Sequence, residues 1–500
     1  MAVAKVKMAK MAKMAKMAKM AKSLRSFLAQ LREEPSTELV EVNRPVRADQ
    51  FEVTAILEKL DQAHRYPTVL FNNPRNLFGE PSRFPIVSNV FATREHCAVA
   101  LGLDPKRPGM ELSLGYSALE RQQIDPVVVA RGEAPVKENV LVGDQADIRV
   151  LPIVRHYEMD LAPVLTMAQV MPGLEGEYAD VSFCKAFYKG DPRRMVVSIH
   201  TPHLERILAE YERRDEPAPI VNILGHHPAF YLGALALAPF ANNDYATIGS
   251  FLGEPLRLVP SETWGERVMI PADAEIIIEG EIPPGERGIA DPFGEVTRLY
   301  QAQCLRPICN VKAITYRSDA IMQNVFSGHQ GHWNLGALPK EGSVFNALQR
   351  KFGNIKAVHL PYSGCARLAC YISIEKTRPG QPKEIGMMAL TESWTFQTIV
   401  VVDDDVDVFN EPEVLWAVHT YVNPEQDIDL IKNVGESVFT TAMQRGKVLI
   451  DATRPSDVAF PARFTVPDEV MERISLDDWI EEYRSGNGRA PDARADRRGV

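Results

Sequence analysis

Residues 274–295, AEIIIEGEIPPGERGIADPFGE, contain a strand, a tight turn and an acid-bearing loop in direct succession. The β-branched isoleucines at 276–278 favour a strand. The Pro-Pro-Gly at 283–285 ends it, because proline cannot donate to a sheet ladder and glycine relaxes the backbone. Asp291 and Glu295 then flank a Pro-Phe-Gly turn, and carboxylates so placed are suited to acid–base chemistry. An acidic surface turn would have the same composition, so the rest of the chain has to decide between the two readings.

Composition and charge are those of an ordinary globular protein with two or three domains. The chain has 500 residues, of which 45% are hydrophobic and 24% are charged,. Its formal charge of −10 argues against nucleic acid as the main partner,. The six cysteines form no CxxC pair, which argues against a zinc site or disulfide framework and indicates reduced thiols in the cytoplasm,. No apolar run reaches the roughly 20 residues that span a bilayer, so we expect no membrane contact.

The N-terminal part begins with a low-complexity, lysine-rich extension. Residues 1–22 carry seven lysines and no acid. Their three-residue repeat spreads lysine around every face of a helix, so we place this extension outside the fold. Residues 23–120 are predicted to form an N-terminal α/β domain, in which Ser23 caps a helix with an apolar face,.

The remaining chain changes character twice. Residues 121–335 contain many short strand-like runs, such as NVLVG, MVVSI and IVNIL, which predict an antiparallel or barrel-like β domain,. Residues 336–480 return to an α/β pattern, with TIVVVDDDVDV as a buried strand and PEVLWAVHTYV as the helix after it. The polar residues 481–500 are predicted to be a disordered tail. The fold class that follows is mixed α/β in three parts.

Asp180, His203 and Asp244 form a candidate metal site. Asp180 precedes one strand and His203 follows the next, so a hairpin through Gly190 and Asp191 can bring them together,. Asp244 lies in a later loop. Carboxylate oxygens with one imidazole suit Mn²⁺ or Mg²⁺ better than a thiolate-bound zinc. The alternative is a strand-end histidine with two solvated aspartates.

A basic loop, KTRPGQPKEIG at 376–386, is a candidate anion site. It groups Lys376, Arg378 and Lys383 ahead of a predicted helix, where side-chain charge and free backbone N–H groups can hold a phosphate,. No GxGxxG or GxxxxGK[ST] pattern makes it a dinucleotide site or a P-loop. A solvated basic loop is the competing interpretation.

Taken together and in this order, these segments resemble the UbiD family of reversible decarboxylases that use prenylated FMN. The resemblance covers most of residues 140–455. It rests on the segments LPIVRHYEMDLAPVLTMAQV, SFCKAF, IHTPHL, IGSFLGEPL, PADAEIIIEGEI, DPFGE, RPGQPKEI, VVVDDDVDV, EVLWAVHTYV and GKVLIDAT. It implies three domains: an N-terminal α/β domain, a central split β-barrel that binds the flavin, and a C-terminal oligomerisation domain.

The resemblance also implies the cofactors and the residues that bind them. The family holds prenylated FMN with a divalent ion, usually Mn²⁺, and K⁺. Its Asn, His and Glu metal ligands correspond here to Asp180, His203 and Asp244. Lys383 matches the lysine that binds the flavin phosphate. The full set implied to bind the cofactor is Thr166, Ser182, Phe183, Lys185, Pro202, His203, Ala238, Pro239 and Lys383.

The catalytic residues are where the chain departs from the family pattern of Arg, Glu and then Glu or Asp. Lys185 occupies the arginine position, and Glu295 matches the last acid. The middle glutamate corresponds to Ala290, with Asp291 as the nearest carboxylate, one residue late. Lysine is a point charge and lacks the bidentate fork of arginine. The resemblance then implies Glu295 as proton donor, Lys185 orienting a carboxylate and Asp291 as a substitute acid.

The activity implied is reversible, non-oxidative decarboxylation of an aromatic, heteroaromatic or α,β-unsaturated acid through a covalent adduct with prenylated FMN. The substrate is a free aromatic carboxylate or its CoA thioester, in a pocket to which we assign His329, His332 and Phe439. A flavin prenyltransferase would supply the cofactor, and the protein would be a homodimer or homohexamer.

Two other functions are compatible with the sequence. A catalytically lapsed subunit of a multi-subunit carboxylase would keep the cofactor or partner contacts without turnover. A metal-dependent hydrolase built on Asp180, His203 and Asp244 ranks last, since no nucleophile is evident.

Overall fold

The computed structural model describes residues 21–434, 446–456 and 459–480. Within them, helices and sheets follow one another in three sequential parts, which confirms the predicted mixed α/β class. None of the helices in these ranges is both long and apolar enough to cross a bilayer. The six cysteines are all free, as the absence of a CxxC pair predicted.

The first part packs four helices around a small sheet. Its helices are α1 (Leu24–Leu31), α2 (Glu52–Gln62), α3 (Arg94–Leu101) and α4 (Met110–Glu120), and its strands are β1 (Leu39–Val42), β2 (Val46–Arg47), β3 (Thr68–Phe71), β4 (Pro74–Arg75) and β5 (Ile86–Ser88). The predicted cap of α1 is confirmed: the Ser23 hydroxyl accepts a hydrogen bond from the Ser26 N–H,. The apolar face of α1 is buried in the main core.

The central part is dominated by antiparallel strands. They are β6 (Val127–Val128), β7 (Asn139–Val142), β8 (Val164–Leu165), β9 (Ala168–Pro172), β10 (Ala179–Phe183), β11 (Lys185–Tyr188), β12 (Arg194–Ser198), β13 (Ala218–Ile223), β14 (Arg257–Ser261), β15 (Gly265–Pro271), β16 (Ile276–Ile282), β17 (Arg287–Ala290), β18 (Cys304–Tyr316) and β19 (Met322–Gln323). Three helices interrupt them: α5 (Pro202–Arg213), α6 (Pro228–Gly233) and α7 (Asp244–Leu252).

Ten of these strands form one curled sheet in the order β10-β9-β13-β16-β18-β12-β11-β8, with β7 and β17 also paired to β18. The isoleucine-rich stretch that opens residues 274–295 is β16, which pairs with β13 and β18 and has its three isoleucines fully buried. Because β18 runs for 13 residues, it pairs with four strands and is the spine of the sheet. The loop between β17 and β18, which carries Asp291 and Glu295, is therefore held at both ends by paired strands.

The third part is a five-stranded sheet with helices around it. Its strands are β20 (Ile355–His359), β21 (Ala369–Ile374), β22 (Thr398–Asp403), β23 (Ile428–Lys432) and β24 (Gly446–Asp451), in the order β20-β21-β22-β24-β23. Its helices are α8 (Gln330–Phe352), α9 (Gln381–Glu392), α10 (Glu411–Tyr421), α11 (Pro424–Asp427), α12 (Asp468–Arg473) and α13 (Leu476–Trp479). The predicted strand and helix at 398–421 are thus present. The domain boundary predicted between 335 and 336 falls inside α8.

A buried ion pair joins the first and third parts. The Arg94 guanidinium on α3 donates to the Glu341 carboxylate on α8 at 2.8 Å, and the ring Nδ1 of His359 on β20 lies 2.8 Å from the other carboxylate oxygen. Both Arg94 and Glu341 are buried. A paired charge of this kind is costly to break, because either partner alone would be left buried and uncompensated. The middle of α8 is consequently fixed to the first part of the chain.

Candidate active site

A cavity of about 110 Å³ lies between the curled sheet, the β17–β18 loop and α8. Apolar side chains form much of its wall, and a few charged and polar groups converge on it, which is typical of a small-molecule site. The lining residues are Thr166, Phe183, Cys184, Lys185, His200, Leu235, Phe293, Glu295, Val325, Ser327, His332, Leu335 and Arg367. Five of the predicted site residues are among them: Thr166, Phe183, Lys185, Glu295 and His332.

Lys185, the first residue of β11, has its ammonium surrounded by oxygen acceptors. Its Nζ donates to the Asp291 carboxylate at 3.2 Å, to the Gln301 amide oxygen at 3.0 Å, and to the Glu295 carboxylate at a shorter distance. The lysine side chain is only 9% exposed. An ammonium has three N–H donors, so these three acceptors use all of them.

Glu295 faces the cavity as a carboxylate. Burial acts to raise the pKa of Glu295, but the ion pair and hydrogen bond with Lys185 outweigh it and hold the pKa below its ordinary value,. Across the cavity wall, burial lowers the pKa of His332 to about 3, so its imidazole is neutral at pH 7. The Lys185–Glu295 pair is thus the principal charged feature of this wall.

Asp291 lies behind Lys185. Its side chain is fully buried and is not part of the cavity wall. Its backbone has φ +59°, in the left-handed region, where residues other than glycine, asparagine and aspartate are rare,. A carboxylate is therefore kept at a position whose backbone favours glycine, and that carboxylate binds Lys185.

Ala290 ends β17 in an apolar environment. Its side chain is fully buried, and the small cluster around it consists of Val164, Phe187, Val196 and Phe293. A glutamate at this position would be placed among these apolar groups. Position 290, which corresponds to the middle one of the family's three catalytic residues, therefore carries no carboxylate. Asp291 is the nearest acid to Lys185 besides Glu295.

Two of the predicted metal residues are in contact at one end of the sheet, and the third binds the backbone beside them. Asp180 on β10 and His203 at the start of α5 are in contact, with 2.9 Å between the carboxylate oxygen and Nδ1. The Asp244 carboxylate, at the first residue of α7, accepts a hydrogen bond from the Val181 N–H at 2.8 Å. The hairpin predicted through Gly190 and Asp191 is present as β11 and β12.

The electrostatics of this group fit a cation. Burial, reinforced by the neighbouring Asp180 carboxylate, raises the pKa of Asp244 to about 8. Burial also raises the pKa of Asp180, against the hydrogen bonds from Ser182 and His203. Among the described residues, no lysine or arginine is in hydrogen-bond contact with these three groups. Two carboxylates and an imidazole are a hard donor set for a divalent ion.

His329 lies outside the cavity, which differs from its assignment to the substrate pocket. It directly precedes α8 and stacks on Phe326 with 3.6 Å between ring centroids. Its ring nitrogens face Glu58, at 3.0 Å, and Asp61, at 3.7 Å, both on α2. Among the residues that the structure describes, Glu58, Asp61 and His329 form a group whose possible metal-ligand atoms all lie within 4.8 Å of one another. The Arg298 guanidinium donates to the Asp61 carboxylate and contacts the His329 ring, so this group already has a positively charged partner.

The other predicted cofactor residues lie around the metal group or apart from it. Ser182 donates to the Asp180 carboxylate at 3.0 Å, and Pro202 is the first residue of α5 beside His203. Ala238 and Pro239 lie in the loop before α7, next to Phe240, whose ring packs against His203.

Lys383 does not line the cavity. Lys383 on α9 has its ammonium on the Gln426 carbonyl at 2.6 Å and on the Asp429 carboxylate at 2.9 Å, within the third part of the chain. Its assignment as the phosphate lysine stays a prediction. Phe439, assigned to the substrate pocket, lies outside the described residues.

Three residues of the site were not identified from the sequence. Gln301 accepts from Lys185, His200 follows β12, and Arg367 enters the cavity from the segment between β20 and β21. His200 lies within the quoted IHTPHL segment, so a wider reading of that segment would have included it. Nothing in the sequence around Arg367 signals its position, because it reaches the site only through tertiary contact. Gln301 lies in the same β17–β18 loop as Glu295, where its backbone N–H donates to the Phe293 carbonyl at 3.0 Å.

Sequence models of one family match most of the chain. The UbiD N-terminal domain matches residues 30–113, the 3-octaprenyl-4-hydroxybenzoate carboxy-lyase Rift-related domain matches 127–330, and the UbiD C-terminal domain matches 333–452.

Solved structures of UbiD-class enzymes are similar along nearly their whole length. HmfF from Pelotomaculum thermopropionicum in complex with FMN is 28% identical, with a TM-score of 0.84 over 92% of this chain and 100% of that chain. An evolved dimeric form of HmfF in complex with prFMN is also 28% identical, with a TM-score of 0.81 over the same shares. Vanillic acid decarboxylase from Sedimentibacter hydroxybenzoicus in open form is 25% identical, with a TM-score of 0.78 over 93% of this chain and 99% of that chain.

Proposed function

This chain belongs to the UbiD family of carboxy-lyases, and on that premise we propose that it catalyses the reversible, non-oxidative decarboxylation of an aromatic, heteroaromatic or α,β-unsaturated carboxylic acid with prenylated FMN. The observation that carries the proposal is the Lys185–Glu295 pair in the wall of a closed-in cavity. An acid that is charged at rest and held by a buried lysine can exchange a proton with a reacting carbon.

The residues present fit the cofactor and the metal. Thr166, Phe183 and Lys185 line the cavity, and Asp180 and His203 meet at the end of the adjoining strands. Prenylated FMN, when bound, supplies the electron sink for the bond that is broken to CO₂. A divalent ion, Mn²⁺ in our proposal and accompanied by K⁺, would be held by Asp180, His203 and Asp244.

Decarboxylation of a carboxylate consumes one proton, so Glu295 is proposed to take up a proton from solvent and pass it to the carbon from which CO₂ leaves, and to remove that proton in the reverse direction. Lys185 holds this carboxylate in place and stabilises its ionised form, which lowers its pKa. Asp291 and Gln301 fix the lysine from behind. The neutral His332 keeps this wall free of a further permanent charge.

A second candidate is a catalytically lapsed subunit that binds cofactor or partner subunits. The specific observation in its favour is Ala290, which lies in an apolar cluster where the family pattern has a glutamate. If Asp291 does not replace that acid, cofactor binding would persist without turnover.

The test separates these two functions. The protein is co-expressed with a flavin prenyltransferase, its absorption spectrum is recorded, and release of CO₂ is measured against aromatic, heteroaromatic and α,β-unsaturated acids and aromatic acyl-CoA thioesters. A flavin spectrum with turnover supports the decarboxylase. A flavin spectrum with no turnover and no exchange of ¹³CO₂ supports the lapsed subunit. Light scattering on the same preparation distinguishes the proposed homodimer from the homohexamer.

A further inference from the structure

Arg367 places at the cavity a guanidinium that has no ion-pair partner among the residues that the structure describes. It lies between β20 and β21, in the third part of the chain, yet it lines the cavity with Lys185 and Glu295. Among the residues that the structure describes, its side chain makes one long hydrogen bond, 3.5 Å to the carbonyl of Ala366, and no ion pair within 4.0 Å. A guanidinium has five N–H donors, so most of its capacity is unused.

The Lys185 ammonium and the Thr166 hydroxyl of the cavity are already committed. Lys185 uses its three donors on Asp291, Glu295 and Gln301. The Thr166 hydroxyl donates to the Asn324 side chain or the Val325 carbonyl, both at 3.1 Å. A carboxylate that enters this cavity therefore has Arg367 as its available cationic partner.

The Arg367 guanidinium packs against the backbone of α8 at Gly336. A β-carbon added at Gly336 would lie 1.7 Å from Nη1 and 2.0 Å from Cζ of Arg367. A β-carbon there would displace the guanidinium, so the glycine permits this arginine conformation. The position of the guanidinium is thus defined by the helix as well as by its own rotamer.

The electrostatic surroundings favour an incoming anion. Burial lowers the pKa of Arg367 to about 10, and the charge of Glu295 only partly opposes this. Lys340, one turn along α8 from Gly336, adds a further positive charge nearby, and burial followed by Arg367 lowers its pKa to about 8. Arg367 is half-buried, and a partly desolvated cation that lacks a paired anion gains from binding a carboxylate.

We propose that Arg367 binds the carboxylate of the substrate, a role that sequence reasoning assigned to Lys185. Arginine matches a carboxylate through two parallel N–H donors, which a lysine cannot provide. The proposal rests on the function given above and adds that the third part of the chain supplies the specificity for a free acid. A neutral analogue of the same shape, such as an amide, lacks the group that Arg367 recognises.

The experiment compares acids with their neutral isosteres on cofactor-loaded protein. Dissociation constants are measured by calorimetry for benzoate, 2-furoate and cinnamate and for the three corresponding amides. Wild-type protein is expected to bind at least one acid more tightly than its amide. Arg367→Met should weaken that acid by about 10- to 100-fold, the range for a lost charge-assisted hydrogen bond, and leave the amide unchanged.

Two further variants separate position from charge. Arg194→Met is the matched control: its guanidinium pairs with the exposed Glu286 at 2.8 Å, it does not line the cavity, and its removal should leave acid affinity within threefold. Gly336→Ala keeps the charge of Arg367, but its methyl group occupies the space where the guanidinium lies. It should therefore weaken acid binding as Arg367→Met does. Alanine is the better helix former, so the fold of this variant should persist, which circular dichroism checks.

The outcomes distinguish this inference from the proposed function. Loss of acid binding in Arg367→Met and Gly336→Ala, with a raised KM on any acid that turns over, supports the role of Arg367. Unchanged acid affinity in Arg367→Met, or no preference of the wild type for any acid, overturns it. CO₂ release by the wild type with unchanged acid affinity in Arg367→Met would retain the decarboxylase and reject only Arg367.

Discussion

The central domain contains two acid clusters that differ in where their positive charge comes from. In the first, Asp291 and Glu295 share the ammonium of Lys185, and the pKa of Glu295 falls. In the second, Asp180 and Asp244 have only the imidazole of His203 beside them, and the pKa of Asp244 rises to about 8.

The difference teaches that the same residue types serve opposite purposes. A carboxylate held by an internal lysine is ionised in advance and positioned for proton exchange. A pair of carboxylates without such a partner resists ionisation until an external cation arrives. The first cluster is neutralised by a lysine of the chain, whereas the second has no such partner among the described residues, and we propose that a metal ion supplies its positive charge.

The largest effect is expected from the acid of the first cluster. Glu295→Gln keeps the shape but removes the proton that the reaction exchanges, so CO₂ release should fall by roughly 10²- to 10⁴-fold. Glu286→Gln, on an exposed glutamate paired with Arg194, is the control and should behave as wild type. Turnover within threefold of wild type in Glu295→Gln would remove Glu295 from the reaction.

Removing the internal cation should make the two clusters alike. Lys185→Met leaves Asp291 and Glu295 buried without a counter-charge, which should cost about 3–5 kcal/mol in the free energy of unfolding. Urea denaturation measures this. The pKa of Glu295 should rise. The pH at which any remaining activity changes should rise with it. Equal stability of the variant and wild type would show that the lysine does not compensate these carboxylates.

The second cluster should respond to pH and metal. Because the folded-state pKa of Asp244 is about 8, above the ordinary value of 3.8, the metal-free folded protein keeps a proton that the unfolded chain gives up,. Stability should therefore fall as pH rises from about 4 to about 8 and then level off. Melting in EDTA at pH 6 and pH 8 tests this, and Asp244→Asn should flatten the slope.

Metal should reverse that loss. Mn²⁺ at 100 times its dissociation constant should stabilise the wild type by about 2.7 kcal/mol at pH 8, and Asp244→Asn should lose most of this gain. Asp273→Asn is the matched control, because Asp273 is buried but paired with Arg257 at 2.7 Å. A Mn²⁺ response that survives in Asp244→Asn contradicts the assignment.

The smallest effect is expected from the residue behind the lysine. Asp291→Asn tolerates the left-handed backbone and keeps an oxygen acceptor for Lys185, so the fold should persist and turnover should fall by about tenfold or less,. Asp291→Gly relaxes the backbone further but removes the acceptor. If Asp291→Gly is as active as Asp291→Asn, the carboxylate has no role in positioning Lys185.

Much of the fold could be predicted because local patterns agree with the tertiary structure. The cap at Ser23, the buried isoleucines of β16 and the helix at 202–213 all follow from short-range preferences that packing reinforces,. The contact between Asp180 and His203 was also predictable, since one hairpin separates them. Arg367 was not, because it lies 72 residues beyond Glu295 in the chain and reaches the cavity only through the packing of the third part.

By itself the sequence determined the family, the three-part α/β order and the acids from which a site can be built. It did so because motif chemistry and strand periodicity are written in neighbouring residues. Only the tertiary structure decided that Lys185 is fully engaged, that Asp291 stands behind it, that His329 faces α2, and that Arg367 is left without a counter-ion. Burial and hydrogen-bond saturation are properties of what surrounds a side chain, and distant segments supply those surroundings only when the chain is folded.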